Sequence, residues 1–371
     1  MKPRLKPLRE QTIVITGATS GHGLATALLA ARRGARVVLV ARDEDNLRQV
    51  RDRIVADGGQ AEICVADVGR EEDVERVAQT AKDRFGGFDT WVNNAGIGIY
   101  GSALRVSTED HRRLFETNYF GVVNGSIVAA RHLKDRPEGG AIVNVGSINS
   151  DIASPLLSAY NASKHAVQGF TNSLRIEMIR DGAPISVTLV KPGAIGTPFP
   201  EHGRNVTGYE SRLPPPMYAP EVVAKVILFV AETPRRSITV GGAGRLQTAA
   251  ETLFPNLFDR LASGMGAVLT DRSERVPYQP GNLHEPMGDR PHVEGRQKGR
   301  GVSLYTEAQM HPGATGALLA AGGVAAAVWL LQRVGRGEEM CRFARDAREG
   351  LTDPRAFKAH ARHRMEQVGL R

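Results

Sequence analysis

Cysteine is nearly absent from this chain: two residues, Cys64 and Cys341, among 371. Two thiols give no disulfide framework, and Cys64 falls in a strand pattern that reads as buried, so a reducing, cytoplasmic setting is expected. Aromatic residues are scarce too, at 5%, with two tryptophans. The 48 Lys and Arg exceed the 40 Asp and Glu, for a formal charge of +8. A basic balance with so few aromatics does not specify nucleic acid, and no such partner is expected; a phosphate-bearing cofactor or an anionic membrane would be attracted equally. None of the ten histidines sits in ligand spacing, so no metal is expected. A secretory signal is also missing ahead of the first strand pattern, where residues 1–10 form a short basic arm with prolines.

What is present begins with a strand, a glycine turn, a helix and a second strand. Thr12-Ile13-Val14-Ile15-Thr16 is a β-branched run suited to burial on both faces. Gly17-Ala18-Thr19-Ser20-Gly21-His22-Gly23 follows, then a helical pattern from Leu24 to Arg33, a stop at Gly34 and a strand from Arg36 to Val40. A tight turn without a ligand would use similar glycines. Three of them between a buried strand and a helix N-terminus favour dinucleotide binding, because backbone N–H groups and the helix dipole can meet a pyrophosphate there. Helical patterns near 44–57, 71–85, 107–135, 158–181 and 220–232 then alternate with strands near 61–66, 88–93, 140–146, 184–190 and 237–241. The expected fold is α/β, a Rossmann-type doubly wound parallel sheet of about seven strands in one domain, residues 11–245, with a C-terminal extension.

Tyr160-Asn161-Ala162-Ser163-Lys164 places a phenol and an ammonium one helical turn apart, on one face. A tyrosine with a reference pKa of about 10 is a poor proton donor or acceptor at neutral pH, and a neighbouring cation favours its phenolate. Alone, such a pair is common on solvated helices. In order along the chain it joins the motif Thr16-Gly17-x-x-x-Gly21-x-Gly23, Asn93-Asn94-Ala95-Gly96, Asn118, Ser147 and Pro192-Gly193 with Thr197. On these residues the chain resembles the short-chain dehydrogenase/reductase family over residues 11 to about 245. The likeness is specific to the family and silent about the substrate.

The resemblance implies hydride transfer between a nicotinamide and an alcohol or carbonyl carbon. Tyr160 would be the general acid in reduction and the general base in oxidation, and Ser147 would polarise the substrate oxygen. Lys164 would lower the Tyr160 pKa and hold the nicotinamide ribose. Asn118 would hold a water that links Lys164 to solvent; a side-chain amide satisfying a helix backbone group is its plain alternative. The cofactor-binding set is then Thr16, Gly17, Thr19, Ser20, Gly21, His22, Gly23, Arg42, Asp67, Val68, Asn94, Ala95, Gly96, Tyr160, Lys164, Pro192, Gly193 and Thr197. Ala41 stands where an acid for the NAD ribose would stand, and Arg42 is placed for a 2′-phosphate, so NADP(H) is favoured. NAD(H) stays open through Asp43. Asp67-Val68 resembles the pair that meets adenine, although Asp67 could instead cap the helix beginning near residue 71. His22 replaces a usually apolar residue; it is either a rim residue or a phosphate contact whose pKa would rise.

Residues 97–102, 148–157 and 194–218 are expected to line the substrate pocket, the last as a lid rich in proline and apolar residues, which leans toward an apolar alcohol or ketone. Residues 246–312 are read as an extension and linker: 246–265 helical, 271–303 an extended linker. Residues 313–331 form an uncharged run that would nearly span a bilayer or pack as a buried helix. Residues 332–371 form a basic tail with ten Lys and Arg against six Asp and Glu. Membrane association through 313–331 with the catalytic domain in the cytosol is therefore an open expectation. By family analogy the two long helices pair between subunits of a homodimer or homotetramer. Against the enzyme reading stand a non-catalytic NADP-binding sensor and a membrane-associated scaffold.

Overall fold

The computed structural model describes residues 3–317 together with residues 320, 326 and 329. Strands β1 (Thr12–Thr16), β2 (Arg36–Ala41), β3 (Gln60–Val65), β4 (Thr90–Asn93), β5 (Gly140–Val145), β6 (Ile185–Pro192) and β7 (Ser237–Val240) form one parallel sheet. Their order is β7-β6-β5-β4-β1-β2-β3. The expected doubly wound sheet of seven strands is what the chain builds. Strand order reverses between β1 and β4, where Ile13 sits opposite Thr90, and that reversal opens a crevice beyond the strand ends.

Side-chain alternation along the strands feeds two cores. Ile13, Ile15, Val37 and Leu39 face α1 (Gly21–Arg32), α2 (Glu44–Ala56) and a later helix, Pro220–Glu232. Val14, Val38 and Val40 pack against α3 (Glu71–Phe85) and two helices further on, Gly121–Leu133 and Ser158–Arg180. Helix α3 shows why the elements end where they do. Glu71, Glu72 and Asp73 occupy its first turn, Lys82 and Arg84 its last, and Gly86 closes it at φ +77°.

The helix expected over 107–135 is interrupted. It forms as α4 (Thr108–Phe115), a π turn at Glu116–Phe120 that holds Asn118, and α5 (Gly121–Leu133). Such turns widen a helix and are frequent at functional sites. Among the described residues the remaining α-helices are α6 (Ser158–Arg180), α7 (Phe199–His202), α8 (Pro220–Glu232), α9 (Gly242–Leu253), α10 (Pro255–Ser263), α11 (Gly266–Leu269) and α12 (Leu304–Met310). The helical stretch read over 246–265 thus breaks at Phe254, before Pro255, which has no N–H to continue it.

The linker reading of 271–303 does not hold. One compact unit runs Met1–Met310, and this segment is folded against its body. Thr270–Arg275 pairs antiparallel with Tyr209–Ser211 in the lid, Leu283 is fully buried, and Gly295 N donates to the Gly196 carbonyl at 3.0 Å. The glycines that resemble a flexible linker serve close approach instead. A Cβ at Gly299 would stand 2.1 Å from the Tyr218 carbonyl carbon, and one at Gly295 2.4 Å from the Thr197 oxygen. We call residues 276–303 the strap. A second unit is His311–Arg371; most of the 313–331 run, and the 332–371 tail with Cys341, lie outside the described residues. Among the described residues no helix is long and apolar enough to cross a membrane.

Candidate active site

The glycine turn is held by the strand next to it. Thr16 Oγ1 accepts from Asn94 N at 2.9 Å and Ala95 N at 3.0 Å, while the Asn94 amide donates to the Thr16 carbonyl at 2.8 Å and the Gly17 carbonyl at 3.2 Å. Gly17 needs its left-handed backbone at φ +68°. Gly23 needs its missing side chain, since a Cβ would lie 2.1 Å from the Gly17 oxygen. Bare backbone therefore faces the crevice at the start of α1, a fit for a pyrophosphate. His22 is fixed by Asn94 Oδ1, 2.6 Å from its Nδ1. Burial pushes its pKa down to about 4, against the hydrogen bond to Asn94.

Gly17, Thr19, Ser20, Gly21, His22, Arg42, Asp67, Val68, Asn94, Ala95, Gly96 and Thr197 line one cleft. Ser147, Tyr160, Pro192 and Gly193 line a second, which shares His22, Thr197 and Phe199 with the first. Thr16, Gly23, Asn118 and Lys164 line neither and stand behind the walls. Asp67 does not cap α3: its oxygens accept from Gly69 N at 3.0 Å and from Arg113 Nη2 at 2.6 Å. Both oxygens of Asp43 are taken by Asn46, through its backbone N–H at 2.9 Å and its side-chain amide at 3.0 Å.

The Ser147 hydroxyl stands close enough to the Tyr160 phenol to act on it, and both line the second cleft. Lys164 Nζ donates to the Val145 carbonyl at 2.9 Å and lies 5.7 Å from the centre of the Tyr160 ring. Burial governs both groups. It pushes the phenol up to about 12, with the Ser147 hydroxyl pulling the other way, and the ammonium down to about 8. The lowering of Tyr160 expected from its lysine does not appear here: burial dominates the phenol, and the Lys164 ammonium donates to a strand-end carbonyl. Asn118, fully buried, accepts from Ile97 N at 2.9 Å and donates to the Ile97 carbonyl at 3.0 Å and Ser163 Oγ at 3.2 Å. Its amide satisfies the loop after β4 rather than its own helix.

Both clefts have walls that sequence reasoning missed. Gly244, Gln247, Met265 and Leu269 close the second cleft, and Asn282 with residues 286–290 of the strap closes the first. Arg42 donates to the carbonyls of Asn282 at 2.5 Å and His284 at 2.8 Å. Gly21 N, in the first turn of α1, donates to the His292 carbonyl at 3.0 Å. Neither contact has a local sequence signal, since each joins residues more than 200 positions apart.

The family model described as short chain dehydrogenase matches residues 11–205. The chain belongs to the short-chain dehydrogenase family. It is 40% identical to the uncharacterized oxidoreductase YxnA of Bacillus subtilis over 337 residues, 86% of this chain and 90% of that one. A match of that length reaches past the catalytic region into the extension. It is 35% identical to 3beta-hydroxysteroid dehydrogenase 1 of Eggerthella lenta over 258 residues, 67% of this chain and 96% of that one. Among solved structures, a short-chain dehydrogenase/reductase from Burkholderia phymatum in complex with NAD superposes with a TM-score of 0.62 at 26% identity, covering 69% of this chain and 96% of that chain. This short-chain dehydrogenase is thus an NAD(P)-dependent oxidoreductase.

Proposed function

We propose that the protein transfers a hydride between NADP(H) and an apolar alcohol or ketone, with Tyr160 as general acid and base. The observation that carries this reading is the Tyr160–Ser147 hydroxyl pair opening onto an apolar cleft that adjoins the glycine-loop cleft. The bound nicotinamide supplies or takes up the hydride. In reduction, Tyr160 gives its phenolic proton to the substrate oxygen while Ser147 donates a second hydrogen bond to it. A phenol pushed up to about 12 carries its proton at neutral pH, the form in which it can act as the acid. Lys164 is proposed to hold the nicotinamide ribose and to draw the phenol pKa down once its carbonyl contact is shared. Asn118 is proposed to position Ile97 and to hold a water connecting Lys164 with solvent.

NADP preference rests on Arg42 at the cleft and on Asp43, whose carboxylate is committed to Asn46. Ile148, Ile152, Leu157 and Phe199 among the cleft walls, with the likeness to a 3beta-hydroxysteroid dehydrogenase, support a bulky, polycyclic alcohol or ketone as the class to try first. Exposed Phe120, Ile176 and Ile179 on the π turn and α6 support pairing of subunits into a homodimer or homotetramer, which light scattering checks. A cytoplasmic location is proposed from the cofactor's supply.

The decisive experiment is Tyr160→Phe assayed on a panel of steroid and aliphatic ketones with NADPH. Turnover should fall by about 100-fold or more while NADPH affinity, followed by fluorescence, is retained. Equal turnover by the variant would remove Tyr160 from the chemistry. Tight NADPH binding without turnover by the parent protein would favour the sensor reading.

A further inference from the structure

Two histidines and an aspartate, distant in sequence, meet where the strap crosses the lid. His202 ends α7; Asp289 and His292 lie on the strap. His202 Nε2 stands 2.9 Å from Asp289 Oδ2, which in turn is 3.4 Å from His292 Nδ1. One ring nitrogen of each histidine and a carboxylate oxygen all fall within 4.8 Å of one another. The two rings meet edge to face with centroids 5.6 Å apart.

We propose that His202, Asp289 and His292 form a divalent transition-metal site, of the kind that takes zinc, clasping the strap to the lid beside the cofactor cleft. Two imidazoles and one carboxylate are ligands of borderline character that suit zinc and are poorly matched to magnesium or calcium. A tetrahedral ion with bonds of about 2.0–2.1 Å sets its ligand atoms roughly 3.3 Å apart. The two measured spacings, 2.9 and 3.4 Å, bracket that value, so small side-chain rotations suffice. The His292 Nδ1 also lies 2.7 Å from the Arg290 carbonyl, a contact that it gives up when that nitrogen binds the ion. The groove bordered by Glu201, His202, Asp289 and His292 is open to solvent, which leaves room for a water as fourth ligand.

The scaffold under the three residues is already built. Asn282 N donates to the His202 carbonyl at 2.8 Å, Gly295 N to the Gly196 carbonyl at 3.0 Å, and Arg296 N to Glu201 Oε1 at 2.9 Å. Little chain ordering is left for the metal to impose. The same strap covers Arg42 and the Gly21 N–H, so an ion at the clasp holds shut the segment that lies over the cofactor cleft.

The test uses the full-length protein stripped of metal and titrated with Zn2+ against a chromophoric chelator. One equivalent should bind with a micromolar or tighter constant, unaffected by excess Mg2+. His202→Gln, Asp289→Asn and His292→Gln should each weaken binding at least about tenfold, whereas His111→Gln on α4 should not. Zinc should also slow proteolytic cleavage within residues 276–303 in the parent protein and not in Asp289→Asn. Circular dichroism melts report whether each variant is folded. Absence of stoichiometric binding by the parent protein, or binding that survives Asp289→Asn and His292→Gln in folded protein, overturns the proposal and leaves a hydrogen-bonded cluster only.

Discussion

Gly23→Ala adds one methyl group at the point where the glycine turn presses on α1. A Cβ there would stand 2.1 Å from the Gly17 carbonyl oxygen and 2.4 Å from the Asn94 amide nitrogen. An ordinary carbon–oxygen approach is about 3.3 Å or more, so the turn must open by roughly 1 Å. Alanine has no rotamer with which to escape, and the oxygen belongs to backbone. The movement also loosens the Asn94 contacts to Thr16, Gly17 and His22. Overpacking of this sort costs about 1–3 kcal/mol, and each strained hydrogen bond about 1 more, so a loss of about 3–4 kcal/mol is expected. For a domain of this size that lowers Tm by roughly 6 °C or more, and NADPH affinity should fall with it. Gly169→Ala is the matched control. The added methyl would meet no atom within 4 Å, and the position lies inside α6, so the same substitution should stabilise by about 0.5–1 kcal/mol. Thermal melts and NADPH titration of both variants decide the matter. A Gly23→Ala protein that melts within about 2 °C of the parent and binds NADPH equally well would refute the steric account of this turn.

Arg42→Ala should weaken NADPH binding by about 10- to 100-fold, equivalent to roughly 1.5–3 kcal/mol for a charge-assisted hydrogen bond, and leave NADH binding nearly unchanged; equal loss for both cofactors would show that Arg42 serves the strap and not a 2′-phosphate. His22 carries a pH signature. Its pKa is depressed from 6.5 to about 4 in the folded chain, so between those values the unfolded state binds the extra proton. Stability is therefore present above pH 6.5 and lost as pH falls toward 4, by at most about 3 kcal/mol. In urea melts, His22→Gln should flatten that part of the profile relative to the parent protein, and an unchanged slope would place the histidine in solvent.

Local residues explain why so much was legible early. The strand at Thr12–Thr16, the turn at Gly17–Gly23 and the helix to Arg32 follow from short-range preferences: β-branched residues for a two-sided strand, glycine where φ is positive or a carbonyl presses close. The α3 boundaries are legible for the same reason, through acids at one end and Gly86 at the other. The π turn around Asn118 was not, because its widening is bound up with an amide that reaches the Ile97 backbone 21 positions away. Glycines in the strap misled for a related reason: flexibility and close packing select the same residue, and only the neighbours, such as Tyr218 against Gly299, tell them apart.

By itself the sequence determined the doubly wound sheet, the position of the crevice at its reversal and the family's ordered motifs, since periodicity and turn chemistry act within a few residues. Tertiary structure alone decided what those residues touch. It gave Lys164 to the Val145 carbonyl, Arg42 to the strap, and a common meeting point to His202, Asp289 and His292. Burial, which sets the direction of the Tyr160, Lys164 and His22 shifts, is a property of the packed surroundings and has no counterpart in residue order.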